Sequence, residues 1–174
     1  MTPLSYALLG LVRQQPRSGY ALRKVFETTP LGGYSSSPGS IYPALRSLEK
    51  AGLLETRGGP SHGKGLYHLT PQGERELDAW LQAPIGDVGE AMLRFAFIPD
   101  DDPDAIHGFL NAFEHAAEAQ SDALRTFLAG DGASGMSFKA RLAVEHGRQG
   151  LQASADWARW ARRQFEERDP GDSA

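Results

Sequence analysis

The sequence predicts a mainly α-helical protein in two parts: three helices with a two-stranded hairpin, followed by an all-helical dimerisation domain. Apolar residues recur at spacings of three and four over most of the 174 residues, which is typical of helices packed on one face. In the first half, two short β-prone segments flank a glycine-rich loop. Ala83-Pro84 lies where this mixed pattern ends, so we expect domains at 1–84 and 85–174.

Capping residues delimit the first two helices. Thr2-Pro3 offers an N-cap followed by a proline at the first helical position, which predicts a helix over residues 4–12. Ser18 opens a second helix, and the proline and glycines of segment 29–33 break it. In this second helix we expect three side chains to face inward: Tyr20, Leu22 and Phe26.

Residues 36–54 are the most informative stretch, because they predict an amphipathic helix that runs into a strand. At 100° per residue, one face is apolar and holds Ile41, Ala44, Leu45 and Leu48. The opposite face holds Gly39, Tyr42, Pro43, Arg46 and Lys50. Pro43 lacks an N–H and is tolerated in a first turn, so the helix is expected to begin near Ser40. Ser37-Pro38 offers an earlier start, and Gly52 ends the helix.

Two short strands are predicted at 53–57 and 66–69. The loop between them is rich in glycine and too long for a tight hairpin turn. Thr70-Pro71 then caps another helix, which continues to about Leu81. A helix followed by a strand, a glycine-rich loop and a second strand indicates a winged helix-turn-helix.

The second half is expected to be helical throughout, with helices over 88–98, from Asp102-Pro103 to Gly130, and from Ser137 to about 167. In the last helix, small and apolar residues alternate at spacings of four and three, as a coiled-coil seam requires. They are Ala140, Val144, Gly147, Leu151, Ser154, Ala158, Ala161 and Phe165. This stripe predicts a homodimer, although a single domain could use it internally.

Composition and charge narrow the function classes. The chain has no cysteine, which excludes disulfides and thiol chemistry, and no apolar run approaches a membrane span. Residues 1–84 hold nine Lys/Arg and six Asp/Glu, so their net charge is +3, whereas residues 85–174 hold nine and sixteen, a net charge of −7. A nucleic-acid binder concentrates its basic charge where the phosphates lie. No metal-ligand or catalytic motif is present, so we expect no enzyme, no cofactor and a cytoplasmic protein.

The motifs at 6–11, 18–22, 40–45, 48–53 and 67–73 resemble the PadR family of bacterial transcriptional regulators in their order and spacing. Residues 90–97 and 141–147 resemble the helical C-terminal domain of the subgroup related to virulence activators. The resemblance implies a dimeric winged-helix protein that binds double-stranded DNA and whose C-terminal helices dimerise and sense a signal.

The candidate DNA-binding residues lie on the third helix and on the loop between the strands. They are Ser37, Gly39, Ser40, Tyr42, Pro43, Arg46, Lys50, His62 and Lys64. An Arg at this place can bind guanine in bidentate fashion or hold a phosphate, and a Tyr can bond a phosphate or pack on a thymine methyl. The competing interpretation is the solvated face of an ordinary helix.

Five aromatic residues are candidates for a small-molecule effector pocket: Trp80, Phe95, Phe97, Trp157 and Trp160. Core or dimer packing accounts for them equally well. The leading hypothesis is a sequence-specific regulator, a repressor that binds a pseudo-palindromic operator as a homodimer. The alternative is a winged-helix protein–protein interaction module without DNA binding.

Overall fold

A computed structural model describes residues 1–29, 31, 38–58 and 65–167 of the chain. The chain divides into two compact units, Met1–Ala83 and Pro84–Ala174. In the first unit the elements are α1 (Pro3–Gln14), α2 (Gly19–Thr28), α3 (Pro38–Lys50), β1 (Leu54–Arg57), β2 (Leu66–Leu69) and α4 (Pro71–Leu81). Their order confirms the predicted winged helix-turn-helix.

The predicted N-caps begin three of these helices. The side-chain oxygens of Thr2, Ser18 and Thr70 each accept a hydrogen bond from the backbone N–H three residues further on. Each bond satisfies a donor that the first turn of a helix leaves without an intrahelical partner. The starts of α1, α2 and α4 therefore follow from single polar residues in the sequence.

Helix α3 begins earlier than Ser40 and ends where predicted. It starts at Pro38, so Pro43 is its sixth residue and lies inside the helix rather than in the first turn. Pro38 accounts for the early start, since proline is well suited to a first helical position. At the other end, Gly52 adopts a φ of 71° and donates its N–H to the carbonyl of Glu49, while Leu53 donates to that of Leu48. These two bonds form a Schellman motif, which needs a residue in the left-handed region.

Strands β1 and β2 pair antiparallel, with Leu54 opposite Leu69 and Arg57 opposite Leu66. The chain between α1 and α2 adds to this sheet, because Tyr67 donates its N–H to the carbonyl of Arg17 at 2.9 Å. Thr70 holds the base of the hairpin, since its hydroxyl donates to the carbonyl of Gly52 at 2.6 Å. The hairpin is thereby attached to the end of α3.

The core of the first unit is built from leucines on the inward faces of its helices. Its fully buried side chains include Leu8, Leu9, Leu22, Ile41, Leu45 and Leu77. Leu22 and Phe26 face inward as expected, but the expectation for Tyr20 is wrong, because 56% of this residue is exposed. Tyr20 is the second residue of α2, and its ring lies at the surface beside the guanidinium of Arg23.

The second unit contains α5 (Val88–Phe95), α6 (Pro103–Ala129), a 3-10 turn (Asp131–Ala133) and α7 (Phe138–Glu167). Helix α5 is shorter than predicted. After Phe95 the chain makes three-residue turns, with Phe97 bonded to Arg94 and Ile98 to Phe95. Pro99 explains this change, because the residue before a proline disfavours helical geometry.

Helices α6 and α7 form an antiparallel hairpin around the core of this unit. Buried residues of the core include Ile106, Leu110, Phe113, Ala117, Ala155 and Ala158. The stripe predicted on α7 is thus partly used inside one chain: Ala158 and Ala161 are buried there, and Leu151 and Phe165 pack against the same core. Its first residues, from Ala140 to Gly147, are half-buried and are absent from this core cluster.

Candidate nucleic-acid interface

The outward face of α3 is the centre of the candidate site. Ile41, Leu45 and Leu48 are buried against the first unit, as their spacing predicts. Arg46 and Lys50 are exposed on the other side, as are Gly39 and Pro43. Ser40 is half-buried. The amphipathic pattern of this helix therefore turns its cations away from the core.

Tyr42 is more enclosed than the sequence suggests, because its ring packs against the start of α2. A Cβ atom on Gly19 would come within 3.0 Å of Cε1 of Tyr42, so the glycine makes room for the ring. Tyr42 is half-buried as a result. Its ring fixes α3 beside α2.

Tyr67 of β2 lies on the same side of the unit as α3. Burial raises the pKa of the Tyr67 phenol, the charge of Glu49 raises it further, and the charge of Arg46 lowers it. Glu49 also accepts a hydrogen bond from the Thr56 hydroxyl at 2.7 Å. Arg46 therefore lies beside a phenol that stays protonated and a carboxylate that a strand residue already binds.

Most other cations of this unit have acidic partners. Arg13 contacts Asp78 at 2.7 Å, the carboxylate of Glu27 forms ion pairs with Arg23 at 3.4 Å and Lys24 at 3.9 Å, and Arg57 pairs with Glu55. Within residues 1–29, 31, 38–58 and 65–83, by contrast, neither Arg46 nor Lys50 forms an ion pair. Their charges are available to an anionic partner, and phosphate contacts require such cations.

Three candidate residues, Ser37, His62 and Lys64, lie outside the described residues. The remaining six candidates all lie on α3, from its second residue to its last. They are Gly39, Ser40, Tyr42, Pro43, Arg46 and Lys50. Their DNA contacts stay a prediction.

The five aromatic candidates for an effector pocket occupy different surroundings. Trp80 stacks on Tyr6 in the first unit, with ring centroids 4.4 Å apart. In the second unit Phe95 meets Trp157 edge-to-face at 5.5 Å, whereas Phe97 is buried and half of Trp160 is exposed. The structure thus brings Phe95 and Trp157 together.

An apolar groove of about 630 Å³ opens between α5, α6 and α7. Val88 and Met92 of α5 line one wall, and Trp157 is the one effector candidate among its lining residues. Gly147, Leu151 and Ser154 of the predicted α7 seam also line it. The spacing of these three residues predicts a helix–helix seam, whereas the structure places them along a groove. The glycine spacing at 147 and 150 was the signal that a depression lies here.

Two absences hold for the part of the chain that the structure describes. No group of three or more His, Asp or Glu side chains is placed to bind a metal ion. No helix there is long and apolar enough to cross a bilayer.

Comparison with known proteins finds matches to transcriptional regulators. The family model described as "Transcriptional regulator PadR-like family" matches residues 8–79. The chain is 35% identical over 105 residues to the Negative transcriptional regulator PadR of Bacillus subtilis, which covers 56% of this chain and 58% of that protein. It is 35% identical over 75 residues to the Transcriptional regulator YqjI of Escherichia coli, covering 43% of this chain and 36% of that protein. The match thus spans little more than half the length of the Bacillus subtilis relative and about a third of the Escherichia coli relative.

Among solved structures, the crystal structure of Bacillus subtilis PadR in complex with operator DNA matches at 26% identity and a TM-score of 0.41, over 93% of this chain and 98% of that one. The PadR-like structure BC1756 from Bacillus cereus matches at 24% identity and a TM-score of 0.42, over 95% and 99%.

The helix order and the hairpin define a winged helix-turn-helix protein. Residues 8–79 of the chain form a domain that matches the PadR-like family of transcriptional regulators. The match confirms the resemblance of the motifs between residues 6 and 73, whereas the resemblance of residues 90–97 and 141–147 stays a prediction.

Proposed function

We propose that the protein is a DNA-binding transcriptional repressor that recognises a pseudo-palindromic operator as a homodimer. The observation that carries the proposal is the outward face of α3, where Arg46 and Lys50 are exposed without acidic partners among the described residues. The match of residues 8–79 to a family of regulators supports it. The word "negative" in the name of the Bacillus subtilis relative supports repression over activation. A regulator of this kind acts beside DNA, in the cytoplasm.

In this proposal α3 enters the major groove. A helix of this kind presents the residues near its start to the base edges. Gly39 and Ser40 are small, so the start of α3 can approach DNA closely. Arg46 then reaches a guanine or a phosphate, and Lys50 neutralises a phosphate near the helix end. His62 and Lys64 extend the contacts from the hairpin loop.

The homodimer follows from the need for two recognition helices. One helix reads too few base pairs for regulatory specificity, and a two-fold dimer places two of them about 34 Å apart on successive major grooves. The second unit offers surface for this contact: Phe138 and Leu142 at the start of α7 are 76% and 52% exposed. The groove beside Gly150 lies further along the same helix. Residues 85–174 are therefore assigned to dimerisation.

A small-molecule effector is a second part of the proposal. The groove volume of about 630 Å³ falls within the range of roughly 300–1,000 Å³ typical of ligand pockets. Its lining is mainly apolar, with Trp157 and Phe113 as aromatic walls. An apolar aromatic compound suits such a lining, and isothermal titration with the parent protein would detect it.

The decisive experiment selects operators from a random pool of double-stranded DNA with the full-length protein, followed by gel-shift titration. We expect enrichment of a two-fold symmetric sequence and an affinity that falls steeply with salt. A folded dimer that enriches no sequence and retards no DNA would contradict the proposal and favour the protein–protein interaction module.

A further inference from the structure

We propose that Arg17 and Tyr20, at the start of α2, form a second DNA-contact patch that binds a backbone phosphate beside the groove entered by α3. This inference rests on the proposed function, because it concerns the same DNA. Neither residue was expected to contact DNA from the sequence, where Tyr20 was assigned to the core.

Arg17 is a cation that the protein holds in place without neutralising it. Its carbonyl accepts the N–H of Tyr67 at 2.9 Å, so its backbone is part of the sheet. Its side chain is half-buried, and its Nε is enclosed without a hydrogen-bond partner. Among the described residues Arg17 forms no ion pair. A positioned guanidinium that lacks a carboxylate is suited to a phosphate, which accepts bidentate hydrogen bonds.

Tyr20 is an exposed aromatic side chain whose ring is also positioned. The guanidinium carbon of Arg23 lies 5.5 Å from the ring centroid, which is within cation–π range. Arg23 in turn has its Nε 3.4 Å from the carboxylate of Glu27, so its own charge is balanced. Arg23 therefore supports the ring of Tyr20, and the phenolic O–H is the group that remains for an outside acceptor.

The patch adjoins the recognition helix. Gly19 lies between the two residues in sequence and packs against the ring of Tyr42 and the side chain of Leu45, both on α3. Tyr67, which bonds to Arg17, has Arg46 as an electrostatic neighbour. In a helix-turn-helix the first helix of the pair crosses the DNA backbone while the second lies in the major groove. Tyr20 on the first turn of α2 and Arg17 just before that helix lie at the end of α2 that packs against α3, where we expect that backbone to pass.

The test measures operator affinity over a series of salt concentrations for the full-length protein and four variants. Arg17→Gln should weaken binding to operator and unrelated DNA alike and reduce the slope of log K against log salt by about 1, as the loss of one phosphate contact requires. Arg17→Lys keeps the charge and should keep most of the slope. Tyr20→Phe keeps the ring and should weaken binding by about fivefold, since one hydrogen bond is lost.

Arg75→Gln is the matched control. Arg75 is an exposed cation of the same unit, it lies on α4, and it too forms no ion pair among the described residues. Equal slopes for the Arg75→Gln and Arg17→Gln variants would mean that only net charge matters, and would overturn the inference.

The remaining outcomes separate the inference from the proposed function. If the parent protein binds no DNA, the proposed function fails and the patch with it. If the parent binds an operator and both Arg17→Gln and Tyr20→Phe bind like the parent, the patch is wrong and the function stands. If the Arg17→Gln variant shows no cooperative thermal transition, it has not folded and its DNA affinity carries no information. The Tyr20→Phe variant then tests the patch, because it removes only one oxygen atom at the protein surface.

Discussion

Gly73 is the residue at which the first unit tolerates least change. A Cβ atom there would lie 2.1 Å from the carbonyl oxygen of Leu53, which is backbone and cannot rotate away. Gly73→Ala must therefore push α4 from the start of β1, and we expect a loss of unfolding free energy above about 2 kcal/mol. Urea denaturation followed by circular dichroism measures the change.

A helical glycine with open space around it provides the control. No atom lies within 4 Å of a Cβ built on Gly108 of α6. Gly108→Ala should stabilise the protein by about 0.5–1 kcal/mol, because alanine has the higher helix propensity. If Gly73→Ala were as stable as the parent, the close approach of α4 and β1 would be wrong.

Arg46 is the residue on which sequence recognition is expected to depend. If it binds a base, Arg46→Ala should cost about 1–3 kcal/mol of operator affinity and relax specificity at one position of each half-site. Arg46→Lys distinguishes the two roles, because lysine can hold a phosphate but cannot form the planar bidentate pair. Gel-shift titrations against single-base operator variants measure both effects. Unchanged specificity in Arg46→Ala would leave Arg46 as a phosphate contact or remove it from the interface.

Individual residues also mark where sequence reasoning succeeds and where it fails. The outward position of Arg46 follows from spacing alone, since burial of Ile41 and Leu45 fixes the rotation of α3. The exposure of Tyr20 could not be predicted from spacing, because a single aromatic residue at a helix start can face either the core or the solvent. The half-burial of Tyr42 depends on Gly19, a contact between two helices that no pattern within either helix reveals.

At the scale of elements, α6 and α7 are joined by a cluster of ion pairs. Glu114 is only 12% exposed, and it accepts from Arg159 at 2.8 Å and lies 2.9 Å from Arg162. Arg159 also contacts Glu118 at 2.6 Å. Burial opposes ionisation of Glu114, but the hydrogen bonds from the two arginines outweigh it and hold the pKa of Glu114 below its ordinary value.

This lowered pKa gives a prediction for acid stability. A carboxylate whose pKa is lower in the folded state stabilises the fold above its ordinary pKa, and this contribution is lost as the pH falls through the folded value. At pH 7, Glu114→Gln should reduce the unfolding free energy by about 1–3 kcal/mol, since it weakens charge-assisted hydrogen bonds. The difference from the parent should shrink only as the pH falls below the ordinary glutamate pKa and through the lower folded value, where the parent's carboxyl becomes neutral as well.

Asp122→Asn is the comparison for this experiment. It breaks the pair of Asp122 with Arg125, in which both side chains are mostly exposed, so it should change stability by less than about 1 kcal/mol. Thermal melts of the parent and both variants between pH 3 and 7 give the comparison. A Glu114→Gln variant that melts with the parent at pH 7 would show the cluster to be without net effect.

The capped helix starts were the most predictable elements of the fold, whereas the start of α3 and the end of α5 differ from the prediction. Each predicted cap at Thr2, Ser18 and Thr70 forms, because a cap is a local bond between a side chain and the next turn. The role of α7 could not be predicted in the same way. Its stripe of small residues could pack against a helix of the same chain or against a helix of a second chain. The burial of Ala158 and Ala161 in the core with α6 shows that this part of the stripe packs within one chain.

At the scale of the whole molecule, the dimer can be tested through the groove of the second unit. Gly150 lines this groove, and a Cβ there would meet no atom within 4 Å. Gly150→Trp should fold and fill the groove, and we expect it to shift the protein from dimer to monomer in sedimentation equilibrium. Operator affinity should fall with it, since two half-sites are no longer bound together.

Gly108→Trp is the control and should leave the dimer intact. A Cβ on Gly108 also meets no atom within 4 Å, but Gly108 does not line the groove. A parent protein that sediments as a monomer at micromolar concentration would rule out the dimer. A Gly150→Trp dimer would place the interface elsewhere, with Phe138 and Leu142 as the next surface to change.

The tryptophans give each unit its own optical reporter. Trp80 stacks on Tyr6 in the first unit, while Trp157 meets Phe95 and Phe113 edge-to-face in the second. The wavelength and intensity of tryptophan fluorescence change when such packing is lost. With Trp80 replaced by phenylalanine, the remaining emission follows the second unit alone, and with Trp157 and Trp160 replaced it follows the first. Partial unfolding of one unit while the other persists would then be visible without any attached dye.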